Sequence, residues 1–420
     1  MMRSLYSLAL WAAQPLLRRK LARRAVQEPG YGEAIEERFG AYEQPAEPLE
    51  GASRLVWLHA VSLGETRAAA ALVAALRAQH PGMRLLLTHG TATGREQGRA
   101  LLQPGDVQVW QPWDTPAAAR RFLQQFRPRV GLLMETEVWP NLVAACSEAG
   151  VPLCLVNARM SEKSMHQALK LRWLSRPAYA GLHRVLAQTE SDATRLRALG
   201  ATVQAVTGNL KFDAAPDASL LAKGRSWHAA QSQPVLMFTS SREGEEQMLI
   251  DALRARPVTG VQWLIVPRHP QRFDEVASLF VAAGYSVSRR SSWQAGPEAA
   301  DIWLGDSLGE MALYYGLADV ALLGGSFAPL GGQNLIEAAA SACPVLMGPH
   351  TFNFAQAAEM AEADGAALRC ADLTEAVGRA CALVADIHGL DRTRSAALTW
   401  SLTHQGATQR TLQALGSLVG

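Results

Sequence analysis

The residues best suited to chemistry in this 420-residue chain stand directly after short apolar runs. In the first half they are carboxylates. His59-Ala60-Val61-Ser62-Leu63-Gly64-Glu65 ends one run and opens an Ala-rich stretch. Met134-Glu135-Thr136-Glu137-Val138-Trp139-Pro140-Asn141 ends another. A carboxylate in such a place is a general base if it faces bound substrate. It is equally a helix cap, since Ser62 followed three residues later by Glu65 spells a capping box. Glu135 and Glu137 share strand parity, which predicts projection to one face. Like charges that close require a nearby cation, a hydrogen-bond network or a shared proton, unless the strand end is simply solvated. Pro140 suits the first turn of a helix.

In the second half the corresponding positions are basic, hydroxylic and glycine-rich. Thr239-Ser240-Ser241-Arg242-Glu243-Gly244-Glu245-Glu246 follows one run, and Pro267-Arg268-His269-Pro270 the next. A third carries Gly324-Gly325-Ser326-Phe327-Ala328-Pro329-Leu330-Gly331-Gly332-Gln333-Asn334-Leu335-Ile336-Glu337. Glycines let the backbone approach a ligand, and Gly331 to Asn334 would aim N–H groups at an anion. Glu337 could accept ribose hydroxyls. Neither a G-x-G-x-x-G fingerprint nor a G-x-x-x-x-G-K-[ST] P-loop is present. His59 and His269 each read first as lone structural histidines, with His269 the better ligand contact.

The elements that must carry these turns alternate regularly. Apolar runs at 55–61, 84–88, 107–111, 130–135, 153–157, 184–188 and 203–207 read as strands, separated by amphipathic stretches. After a strand-poor segment at 213–233, read as a linker with a short helix, the pattern restarts. Its runs are 235–239, 263–266, 286–290, 302–305, 320–323, 344–347 and 367–369. Strand–helix alternation implies parallel sheets covered by helices, here two doubly wound α/β domains facing a cleft. Ligands in such sheets bind beyond the carboxyl ends of the strands. The terminal stretch 390–420 reads as helix.

Composition is that of a folded protein, 49% hydrophobic and 19% charged. Net charge is +2, which gives no bulk case for nucleic acid. Residues 1–40 hold seven basic against four acidic side chains, so the excess sits at the front. There an apolar run at 4–17 precedes Arg18, Arg19, Lys20, Arg23 and Arg24. The run is short for a bilayer span, and its charges follow it rather than precede it as in a signal peptide. It reads as a membrane-surface helix or shallow anchor, with Tyr6 and Trp11 in the interface and the basic cluster on anionic lipid. A Pro/Glu-rich connector occupies 43–50. The five cysteines show no metal or disulfide spacing and read as small buried thiols.

Taken in order, these motifs resemble one family, the 3-deoxy-D-manno-octulosonic acid (Kdo) transferases of lipid A assembly. The resemblance rests on Glu37-Arg38-Phe39-Gly40, WLHAVSLGE (57–65), METEVWPN (134–141), NARMSEKS (157–164), GNLKFD (208–213), TSSREGEE (239–246), VPRHPQRF (266–273), GDSLGEM (305–311) and LLGGSFAPLGGQNLIEAAA (322–340). Leu63 and Leu304 are conservative departures. The resemblance implies a fold of the GT-B type, with two Rossmann-like domains. It implies a membrane-associated segment at 1–24, an acceptor domain at 25–212, a linker at 213–233, a donor domain at 234–389 and a helix at 390–420 crossing back. It implies an inverting, metal-independent glycosyltransferase without cofactor. Its partners would be CMP-Kdo, a lipid A precursor and anionic lipid of the bacterial inner membrane, at its cytoplasmic face. Glu65 would be the base. Ser62, Gly64 and Glu137 would serve the acceptor or transition state. Lys211, Ser240, Ser241, Arg242, Pro267, Arg268, His269, Gly324, Gly325, Ser326, Gly332, Gln333, Asn334 and Glu337 would hold the donor. A UDP-sugar transferase or epimerase of the same architecture is the competing enzyme reading. A peripheral nucleotide-binding protein is the non-enzymatic one.

Overall fold

The computed structural model describes residues 2–44, 46 and 54–419, so most of the connector read at 43–50 lies outside them. The chain divides into two units, one running to Ala214 and resuming at Gln405, the other spanning Ala215–His404.

Unit 1 holds a parallel sheet of seven strands among the described residues: β1 Leu55–His59, β2 Arg84–His89, β3 Val107–Trp110, β4 Val130–Met134, β5 Leu153–Ala158, β6 Arg184–Ala187 and β7 Val203–Val206. Their order is β3-β2-β1-β4-β5-β6-β7. All five residues of β1 are buried, as expected of a strand covered on both faces. Leu55 and Trp57 enter one core while Val56 and Leu58 enter the other, following the two-residue period. Strand order reverses between β1 and β4, and that switch point is where an open α/β sheet leaves a crevice for ligands.

Unit 2 repeats the plan with β8 Val235–Ser241, β9 Gln262–Pro267, β10 Val287–Arg289, β11 Ile302–Leu304, β12 Val320–Leu323, β13 Val345–Met347 and β14 Ala367–Arg369. The order is β10-β11-β9-β8-β12-β13-β14, parallel throughout, with its switch between β8 and β12. The α/β, GT-B-type reading therefore holds strand by strand.

The segment read as a linker is mostly a helix, Ala218–Ala229, inside unit 2. Asp217 caps it by accepting the Leu220 N–H at 2.9 Å. It packs so closely on the helix Met311–Leu317 that a Cβ on Gly224 would lie 2.1 Å from the Leu313 carbonyl oxygen. Gly224 is what permits that approach. The terminal stretch also divides. The helix Ile387–Thr403 stays with unit 2, and the chain breaks at Gly406 (φ 90°). The helix Ala407–Leu415 then buries Leu412 and Leu415 in unit 1. Asp213 staples this return by accepting the Gly406 N–H at 2.7 Å and that of Thr408.

The N-terminal segment is one helix, α1, Met2–Gln27. Polar contacts dock it on unit 1: Tyr6 bonds to Asp114, and the Ser7 hydroxyl donates to Asn141 at 3.0 Å. The opposite face exposes Leu5, Leu8, Trp11 and Leu16. The basic cluster does not all face outward. Arg18 pairs with Glu36 and covers the Phe39 ring at 3.7 Å, and Arg24 covers the Tyr31 ring at 4.1 Å. Arg19, Lys20 and Arg23 are exposed. Among the described residues no helix is long and apolar enough to cross a membrane. The five cysteines are unpaired, four of them buried.

Candidate active site

At the β1 exit, Ser62 caps the helix α2, Leu63–Gln79, by accepting the Glu65 N–H at 3.4 Å. The Glu65 carboxylate reaches back to the Val61 N–H at 2.8 Å and takes a 3.3 Å bond from the Ser62 hydroxyl. The capping box therefore forms, displaced by one residue from its usual backbone partner. Capping does not use up this carboxylate. Burial and the neighbouring charges of Glu135 and Glu137 push its pKa up to about 7, against the lowering effect of those two hydrogen bonds. A carboxylate tuned to neutral pH beside a switch point is suited to proton abstraction.

The β4 exit differs from its sequence reading. The strand stops at Met134, and Glu135 adopts a left-handed φ of 57°. Strand parity therefore does not set the directions of Glu135 and Glu137. Glu135 is buried and accepts Lys211 Nζ at 2.9 Å and Arg159 Nε at 2.8 Å. These are the cations that a close carboxylate pair needs. Glu137 accepts the Trp139 indole N–H at 2.9 Å, and burial raises its pKa. Lys211, read as a donor-phosphate ligand, lies in unit 1 and pairs with Glu135 at 2.9 Å. Arg159 had been given no role, although the motif NARMSEKS contains it. His59 is fully buried on Thr88 with its pKa pushed down to about 3, a structural histidine. Gly64 lies in the first turn of α2, where an added Cβ would meet the Ser62 hydroxyl at 4.0 Å.

In unit 2 the exits of β8, β9 and β12 converge. Arg268, directly after Pro267 at the end of β9, donates its backbone N–H to the Ser241 carbonyl at 2.9 Å. Its Nε lies 3.2 Å from the Gln333 side-chain oxygen. Burial first, and then the charges of Arg242, Arg268 and Arg272, lower the pKa of His269, against Glu243, which pairs with Arg242 at 3.0 Å. This gathers Arg242, Arg268, His269 and Gln333 into one basic patch. Ser240 turns the chain with φ 53°, and a Cβ on Gly324 would stand 2.3 Å from its carbonyl oxygen. Gly324 is therefore required for the two exits to touch. Gly325, Gly331 and Gly332 all have left-handed φ, and the Gly332 N–H closes on the Gly325 carbonyl at 2.7 Å. The Asn334 side chain accepts the Ile336 N–H at 3.1 Å just ahead of the short helix Ile336–Ala340, and Glu337 lies half-buried on that helix.

Two expected donor ligands are turned inward. The Ser241 hydroxyl donates to Glu246 at 2.7 Å, and Glu246 is held by both Arg272 nitrogens at 2.9 and 3.0 Å. The Ser326 hydroxyl lies between the Leu323 carbonyl and the Gly348 N–H. Both serines are fully buried, and their hydroxyls hold the loops together. Asp213, Glu245, Glu246 and Arg272 were missed as organisers. Their partners lie 3 to 195 residues away, and the long-range ones are marked by no local spacing. Among the described residues no group of three or more His, Cys, Asp or Glu side chains is placed to hold a metal ion.

Residues 33–214 match the family described as 3-deoxy-D-manno-octulosonic-acid transferase (kdotransferase). The whole sequence is 48% identical over 436 aligned positions to a 3-deoxy-D-manno-octulosonic acid transferase of Bordetella pertussis, covering 100% of both chains. The chain belongs to the Kdo transferase family. A second Kdo transferase, from Haemophilus influenzae, is 31% identical over 423 positions, 99% of this chain and 98% of that one. The Kdo transferase fold is also similar to that of the UDP-GlcNAc 2-epimerase of Neisseria meningitidis. The TM-score is 0.57 at 14% identity, over 86% of this chain and 99% of that one, a likeness of fold alone.

Proposed function

We propose that this Kdo transferase takes Kdo from CMP-Kdo and transfers it, with inversion, to a hydroxyl of a lipid A precursor such as the tetraacyl disaccharide 4'-phosphate. The observation that carries the reading is Glu65, a half-buried carboxylate at the β1 switch point, held by the Val61 N–H at 2.8 Å and the Ser62 hydroxyl at 3.3 Å, with its proton affinity raised by partial burial and by Glu135. In the reaction Glu65 takes the proton of the acceptor hydroxyl. The oxygen then bonds to the anomeric carbon as the bond to the CMP phosphate oxygen breaks on the opposite face. Glu137 orients the acceptor. In unit 2, Arg242 and Arg268 neutralise the charge that develops on CMP, which is electrostatic stabilisation needing no metal or cofactor. Gln333, His269 and the 331–334 segment serve the same phosphate, except the Gly332 N–H, which the Gly325 carbonyl holds, and Glu337 holds the ribose.

The exposed apolar face of α1, followed by Arg19, Lys20 and Arg23, supports attachment to an anionic membrane. For a lipid A precursor that surface is the cytoplasmic face of the bacterial inner membrane. The test is mass spectrometry of lipid A precursor incubated with enzyme and CMP-Kdo, with and without a chelator. The expected product carries added Kdo in both. No product with CMP-Kdo, or product only with added metal, overturns the reading.

A further inference from the structure

Glu245 is the first residue of the helix Glu245–Ala255 and is fully buried. Its carboxylate accepts four backbone N–H groups. Oε2 takes those of Arg242 at 3.0 Å and Gly325 at 2.6 Å, and Oε1 takes those of Phe327 and Ala328, each at 3.1 Å. Three of the four belong to the glycine-rich turn that the sequence offers to a phosphate. Convergent N–H groups of this kind form an anion-binding nest. Here the nest already holds an anion, supplied by the chain itself from 80 residues away.

We infer that Glu245 is a positioning residue of the donor site: it is the resident anion of the 325–328 turn, locks that turn to the β8 exit, and so leaves the donor phosphate to Arg242, Arg268 and the 331–334 segment. The inference rests on the proposed placing of CMP in unit 2. Three features fit it. Through the Arg242 N–H, the same carboxylate fixes the backbone of a cation in the patch. The 2.3 Å approach of a Gly324 Cβ to the Ser240 carbonyl shows that the locked turn is pressed onto β8 with no slack. The second half of the loop is held differently, by Gly332 on Gly325 and by Gln333 on Arg268, with Glu245 taking no part. Both carboxylate oxygens are in use, each by two donors. An amide would turn an NH2 group toward one pair and leave two buried N–H groups unsatisfied.

Hydrogen exchange of the full-length protein, with CMP as probe, separates the possibilities. In nucleotide-free protein the amides of Gly325, Phe327 and Ala328 should be protected, and at least about tenfold less so in Glu245→Gln. CMP should slow exchange in 331–334 and leave 325–328 unchanged. If 325–328 exchange as an open loop until CMP is added, the nest belongs to the ligand and the inference falls. The wild-type measurement decides this even if the variant fails to fold. In steady-state kinetics Glu245→Gln should raise KM for CMP-Kdo about tenfold. KM for the acceptor should stay unchanged, and Glu245→Asp should recover part of the loss. Activity lost only in proportion to unfolded protein, with KM for CMP-Kdo unchanged, would reduce Glu245 to a structural residue. If CMP slows no amide in unit 2, the donor placing fails, while the hold of Glu245 is still read from the nucleotide-free exchange.

Discussion

Nζ of Lys211 lies 2.9 Å from Oε1 of Glu135, and this pair links the GNLKFD motif to the exit of β4. Glu135 is one of the charges that raise the pKa of Glu65. Lys211 and Arg159 partly cancel that charge. The proton affinity of the proposed base is raised first by burial and then by the charges of Glu135 and Glu137, and the two cations on Glu135 bear on the second of these effects.

Lys211→Met tests that second effect. With the ammonium removed, Glu135 acts more strongly on Glu65, and the acidic limb of the kcat/KM profile should move to higher pH. Calorimetric CMP affinity should stay at the wild-type value. A large loss of CMP affinity with an unmoved limb would return Lys211 to the donor phosphate.

Glu65 itself should appear as an acidic limb near pH 7, with activity rising as the group loses its proton. Glu65→Gln should lower kcat by about 10²- to 10⁴-fold while CMP still binds. Glu137→Gln removes one like charge, so the limb should move to lower pH. The stability effect has a definite sign. The folded pKa lies above the usual carboxylate value, so the stability it contributes is present below pH 4.5 and is lost as pH rises through 7. Thermal unfolding of Glu65→Gln at pH 8 should therefore occur at or above the wild-type temperature.

The Ser241–Glu246–Arg272 chain should behave as structure. Ser241→Ala should cost about 1 kcal/mol in urea unfolding and leave the CMP affinity unchanged. Arg272→Met strands the fully buried Glu246 and should cost about 3–5 kcal/mol. A Ser241→Ala variant with native stability and weakened CMP binding would put the hydroxyl back in the donor site.

What was legible in the sequence follows from the range of the forces involved. All fourteen strands among the described residues fall on runs read as strands, most plainly β1, β4, β5 and β12, which are buried on both faces and apolar along most of their length, and least plainly β7 and β10, which are only partly buried. The exits of β1, β4, β8, β9 and β12 were legible for the same reason, and Ser62 and Glu65 could be read as a cap because a cap is local. The side-chain directions at those exits were not. Ser241 turns inward because Glu246 and Arg272 wait there, and Glu245 serves a turn 80 residues further along. Lys211 meets a carboxylate 76 residues earlier. These pairings depend on strand order, and strand order is not written in any one motif. The short helix expected within 213–233 is there as Ala218–Ala229, but its close packing inside unit 2 was not legible, because composition alone does not distinguish small residues that pack from those of a linker.

The two faces of α1 should separate experimentally. Leu8 and Trp11 are 60% and 67% exposed, whereas Tyr6 and Ser7 dock on Asp114 and Asn141. Leu8→Ser with Trp11→Ser removes apolar area worth about 3 kcal/mol or more if it enters lipid, roughly a hundredfold in partitioning. Co-sedimentation with vesicles containing anionic lipid should fall by that order, while the thermal midpoint stays at the wild-type value. Arg19→Glu with Arg23→Glu should weaken binding to anionic vesicles by about 1 kcal/mol or more per residue, and added salt should narrow the difference. Tyr6→Phe should do the reverse: lower stability through the lost Asp114 bond, with vesicle binding kept. Vesicle binding that survives the Leu8/Trp11 pair unchanged would show that this face does not meet the membrane.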